Sequence, residues 1–69
     1  MDRVQVASSS LESIGYDAGS ETLEVEFKRG DVYEYYNVPQ SMHEQLMLAS
    51  SIGEFFNANI RNAFACSRV

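Results

Sequence analysis

Few residues in this 69-residue chain are of types that do chemistry, and their spacing restricts what they can do. There is one histidine, His43, one cysteine, Cys66, and nine serines. A serine nucleophile needs a base within hydrogen-bond reach and a third group to orient that base. No G-x-S-x-G turn occurs, and residue types without spacing define no triad. No catalytic residue is assigned, and the chain reads as a non-enzyme. His43 stands beside Met42 at the start of a helical stretch and reads as a half-exposed surface residue. One thiol, one imidazole and scattered carboxylates match neither a zinc nor a calcium spacing, so no metal and no cofactor is expected. Cys66 has no disulfide partner, and its place in the tail "ACSRV" suggests a frayed, incidental thiol.

Groups suited to recognition are better represented. Asn57 and Arg61 stand four residues apart in "GEFFNANIRNAF", a helical spacing that presents an amide and a guanidinium together to phosphates or base edges. Lys28 and Arg29 are adjacent, and Arg3 and Arg68 complete the five cations. The stretch "VYEYYNVP" carries Tyr33, Tyr35 and Tyr36, either a platform for stacked bases or core packing that is aromatic. The candidate nucleic-acid-binding set is therefore Asn57, Arg61, Lys28, Arg29 and Tyr36. Plainer roles stand beside it: Asn57 bonding a loop, Arg61 pairing with an acid, Lys28 and Arg29 solvating a turn. Ten acids outnumber the five cations, for a net charge of −5. Such a body repels phosphate backbones at long range, so any RNA affinity is expected to be weak.

The elements that must position these groups follow from the hydrophobic pattern. "LESIGYD" reads as a first strand that ends in the turn chemistry of "DAGSE". "TLEVEF" alternates strictly, with Leu23, Val25 and Phe27 on one face and Thr22, Glu24 and Glu26 on the other. A three-residue hairpin loop, Lys28-Arg29-Gly30, gives Gly30 a left-handed position and pairs Val25 with Tyr33 and Leu23 with Tyr35. Tyr33 and Tyr35 then belong to the core face, while Tyr36 shares the outer face with Glu34. Pro39 closes the strand and suits the first turn of a helix. Val38, Met42, Leu46 and Ala49 form the stripe of that helix; Ile52, Phe56, Ile60, Ala63 and Phe64 form the stripe of a second.

The expected fold is α+β, a three-stranded antiparallel meander followed by two helices packed on one face. It is a single domain over residues 1–69, with 1–8 and 65–69 as loosely ordered ends. No run approaches the roughly 18 apolar residues of a membrane span, and "MDRVQVASSS" lacks a signal peptide's apolar stretch. A cytoplasmic protein is expected, monomeric and without membrane contact.

With these elements placed, "SS..ESIGYD", "TLEVEF..G.VYEYYNVP" and "L..AS..G.FFN..IR" resemble the KTSC domain. This small family occurs as free bacterial and phage proteins and at the C-terminus of some lysyl-tRNA synthetases. The resemblance covers about Ser9 to Phe64 and includes the Y-x-Y motif, here Tyr33-Glu34-Tyr35. It implies a binding module without established activity, for which RNA binding has been proposed from the synthetase context. Two positions depart from the family pattern: His43 replaces a tyrosine-like residue and Ile52 a basic one. The competing function is an acidic protein-interaction module, using an edge strand of the meander or the Met47–Leu48 flank of the first helix.

Overall fold

A computed structural model describes all residues, Met1–Val69. In chain order the elements are β1 (Arg3–Gln5), β2 (Leu11–Asp17), β3 (Thr22–Phe27), β4 (Val32–Tyr35), α1 (Gln40–Leu48), α2 (Ile52–Asn59) and β5 (Cys66–Arg68). The five strands form one sheet in the order β1-β2-β3-β4-β5, every neighbour antiparallel. The alternation of β3 decides its faces: Leu23 and Val25 are fully buried, and Glu24 and Glu26 lie on the other side. Leu23 pairs with Tyr35, Glu24 with Glu34 and Val25 with Tyr33, the register expected of a three-residue loop. Gly30 has φ 107°, a conformation that costs glycine little and a β-branched residue much. In β2 the register slips between Leu11 and Ser13, a bulge that lets both Leu11 and Ile14 point into the core.

The α+β class holds, but the sheet has five strands where the pattern predicted three. The ends expected to be loose carry the two extra strands. Their residues are all exposed, and three residues each is too short a run for alternation to mark them in the sequence. Polar contacts anchor them instead. Arg3 donates to the Ser13 hydroxyl at 3.0 Å and forms ion pairs with Glu24 and Glu26. Gly15 faces the N-terminal segment so closely that a Cβ there would stand 2.7 Å from the Asp2 carbonyl oxygen. At the opposite edge, the Tyr36 amide donates to the Ala65 carbonyl and the Val69 amide to that of Val32, both at 2.9 Å. The edges of β2 and β4, expected to be free for a partner, are therefore occupied by the chain's own termini.

The helices cover the apolar face. Leu11, Ile14, Leu23, Val25 and Tyr35 from the sheet side meet Val38, Leu46, Phe56 and Ile60 in one buried cluster. Phe56 is its hub, edge-on to Tyr35 at 5.3 Å and to Phe27 at 5.7 Å between ring centres. Asn37, in the left-handed region at φ 60°, turns the chain out of the sheet toward α1. Pro39 is the N-cap of α1 and not its first helical residue. Ser51 caps α2 by accepting from the Glu54 amide at 3.4 Å, one half of an S-x-x-E capping box. The second helix ends earlier than its apolar stripe suggests. The Phe56 carbonyl accepts from both the Ile60 and Arg61 amides, and the chain leaves the helix in a wide turn. No helix is long and apolar enough to cross a membrane.

Candidate functional site

The tip of the β3–β4 hairpin and the end of α2 close around one cleft of about 510 Å³. Lys28 and Arg29 come from the hairpin, and Asn57, Arg61 and Asn62 from α2 and the turn after it. Ser9 and Ser10, from the segment before β2, and Cys66, from β5, close its sides. Phe27, Tyr33 and Tyr35 supply aromatic wall.

Local backbone chemistry puts each group in place. The Gly30 amide donates to the Phe27 carbonyl and the Phe27 amide to that of Asp31, both at 2.8 Å, which fixes the tight tip that carries Lys28 and Arg29. The Lys28 amide then donates to the Ser10 carbonyl at 2.9 Å, tying the hairpin to the serine segment. Arg29 is held by Asp31 at 2.7 Å, and its guanidinium lies 5.8 Å from the centre of the Phe27 ring. Arg61 lies beyond the end of α2, and not on the helix as its spacing from Asn57 suggested. The two side chains still meet: Arg61 Nη1 donates to Asn57 Oδ1 at a long 3.5 Å.

No carboxylate lines this cleft. Arg29 shares Asp31 with Arg68, and Arg3 is taken up by Glu24 and Glu26. Lys28 and Arg61 form no ion pair, and both are in the cleft. Of the two tyrosines assigned to the core face, Tyr35 is 4% exposed while Tyr33 is only half-buried and opens into the cleft. Burial, and after it the neighbouring Cys66, raises the Tyr35 hydroxyl above its ordinary pKa; Arg61 opposes the shift. The Tyr35 side chain is thus a neutral donor at the cleft wall.

The structure brings Lys28, Arg29, Asn57 and Arg61 together and separates Tyr36 from them. Tyr36 is half-buried on the outer face, where its hydroxyl bonds to Ser67 and donates to Glu34. Ser9, Ser10, Asn62 and Cys66 join the site without a signal in the sequence, because chain reversal and edge pairing place them there. Cys66 is exposed yet paired opposite Tyr35 in the sheet, so it is not a frayed thiol. His43 lies outside the cleft. Its ring stacks on Tyr16 at 4.5 Å, and burial lowers its pKa against a smaller opposing effect of Glu44. No group of three or more His, Cys, Asp or Glu is placed to hold a metal ion. On the α1 flank Met47 is half-buried against the core, and Leu48 alone stands out at 85% exposure.

Fold and site together define a small α+β domain with a cation-lined cleft where its sheet, hairpin tip and second helix meet. The chain belongs to the KTSC domain family, whose model matches residues 7–64. A solved KTSC domain protein from Yersinia pestis has a TM-score of 0.93 at 39% identity, covering 99% of this chain and 96% of that one. A Stutzerimonas stutzeri protein, described as uncharacterized, is 47% identical over 57 residues, 83% of this chain and 80% of its own length. A lysine–tRNA ligase of Nostoc punctiforme is 41% identical over 56 residues, which make up 81% of this chain and 10% of the ligase.

Proposed function

We propose that this domain is a small non-catalytic binding module whose cleft takes phosphate-bearing nucleic acid, RNA in particular, with weak affinity. One observation carries the reading. In a chain of net charge −5, two cations without an ion pair, Lys28 and Arg61, converge with the Asp31-paired Arg29 on a cleft lined by no carboxylate. A concave surface of one sign concentrates counter-charge locally even when the whole body has the opposite sign. Asn57 and Asn62 add amide donors and acceptors for base edges, and Tyr33 adds an aromatic surface. The choice of RNA draws on the ligase of Nostoc punctiforme, which carries a similar stretch. The alternative, an acidic protein-interaction module, would use the outer edges of β1 or β5, which cover β2 and β4, or the flank of the first helix where Leu48 is exposed.

An amide-shift titration with tRNA and short single strands at low salt tests the proposal. Shifts are expected at Lys28, Arg29, Asn57 and Arg61, and none at Tyr36. At most two or three phosphates can be neutralised, so the log–log salt slope for single strands should be no steeper than about −2. Arg61→Ala should weaken binding and Tyr36→Ala should leave it unchanged. Unmoved amides throughout would overturn the proposal, and shifts centred on Tyr36 would show that the wrong surface was chosen.

A further inference from the structure

The cations left outside the cleft decide how much of a strand it can hold. A volume of about 510 Å³ lies within the range of small-molecule sites, roughly 300–1,000 Å³. A strand that continued past the cleft would need further cations along its path, as extended single-strand grooves have. None is free. Arg3 is engaged by Glu24 and Glu26, and Arg68 by Asp31. Adjoining the cleft is a smaller hollow of about 320 Å³ that shares Ser9, Ser10 and Asn57 with it. Ser8, Ser50 and Ser51 add hydroxyl-bearing side chains to the hollow, and its one charged group is Glu54. Hydroxyls beside a carboxylate suit an uncharged sugar and base and repel a second phosphate.

We infer that the site takes one phosphorylated nucleotide unit and not an internal run of strand. The phosphate sits between Lys28 and Arg61, the two cleft cations without an ion pair, and the sugar and base extend past Asn57 toward the serine-lined hollow. The inference rests on the nucleic-acid reading above and narrows it. The unit can be a free nucleotide or the phosphate-bearing end of a strand, since both present the same chemistry.

Calorimetric and amide-shift titrations of the full chain with five probes test it: adenosine monophosphate, adenosine, inorganic phosphate, and hexa-adenylate with hydroxyls at both ends or with a terminal phosphate. The monophosphate and the phosphate-ended hexamer should each bind at least about tenfold more tightly than the other three probes, a difference of about 1.4 kcal/mol. Shifts should reach Lys28 and Arg61 in the cleft and Ser50 in the hollow. Whichever of the two phosphorylated probes binds more tightly identifies the source, and either order supports the inference. Arg61→Gln should abolish the preference and Tyr36→Phe should preserve it. A hydroxyl-ended hexamer that binds as well as the phosphate-ended one would overturn the single-unit inference while leaving nucleic-acid binding intact. Inorganic phosphate binding as tightly as the monophosphate would reduce the site to a simple anion site and overturn it too. Silence from every probe, with tRNA also silent, would remove both readings.

Discussion

Arg3 and Arg61 are the same residue type in opposite situations. On the outer face of the sheet, Arg3 is held by Glu24 and Glu26 and donates to Ser13, which itself donates to Glu26 at 2.7 Å. Tyr36, nearby in sequence to the Y-x-Y motif, is likewise satisfied by Glu34 and Ser67. In the cleft, Arg61 finds only the amide oxygen of Asn57 and Lys28 finds no acid at all. A cation already paired gains little from a phosphate, because the ligand must displace a carboxylate first. The contrast teaches that net charge does not locate a binding surface; the pairing of each charge does.

The strongest way to break the comparison is to remove the aromatic side chain under each surface. Tyr35→Ala deletes a core residue edge-on to Phe56 and should cost about 3–5 kcal/mol. Tyr36→Ala, on the satisfied outer face, should cost about 1 kcal/mol or less. Thermal melts separate the two, and similar losses would mean the faces are misassigned. Next in size is Gly30→Val at the hairpin tip, where φ 107° forces a strained backbone and about 1–3 kcal/mol is lost. Because that tip carries Lys28 and Arg29, nucleotide or RNA binding should weaken with it; unchanged binding and stability would refute the role given to the turn.

A smaller effect sharpens the comparison directly. Arg61→Ala should change stability by no more than about 0.5 kcal/mol while weakening binding. Arg3→Ala should do the reverse, losing up to about 1 kcal/mol and leaving RNA binding as it was. Chemical-denaturation midpoints paired with titrations check both, and a binding loss in Arg3→Ala would erase the distinction. The smallest effect concerns His43, which lies in neither region. Its folded pKa is lowered, so the unfolded chain takes up the proton more readily. Stability should therefore decline slightly as pH falls from about 6.5 toward the folded pKa. His43→Phe keeps a ring against Tyr16 and should flatten that part of the profile; an unaltered slope would assign it to other groups.

Much of this fold is legible in the residues. The strict alternation of "TLEVEF" and the glycine after "KR" identify β3, its hairpin and the pairing of Leu23 with Tyr35. The helical stripes place Leu46, Phe56 and Ile60 in the core. What eluded the pattern were β1 and β5, because a three-residue strand is too short to establish a hydrophobic period. The early end of α2 was hidden for a different reason. Ile60 and Phe64 continue a helical spacing, yet Arg61 and the residues after it turn away once the Phe56 carbonyl takes two amides.

By itself the sequence determined which residues are apolar at which period, and hence the three central strands, the two helices and the faces of the tyrosines. It also contained every cation of the candidate site, since side-chain type and local spacing are local properties of the chain. Which cations are paired and which are open was decided only by the tertiary structure. Ion pairing depends on distance in space, and residues 3 and 24, or 28 and 61, have no relation along the chain that predicts whether they meet a carboxylate or a cleft.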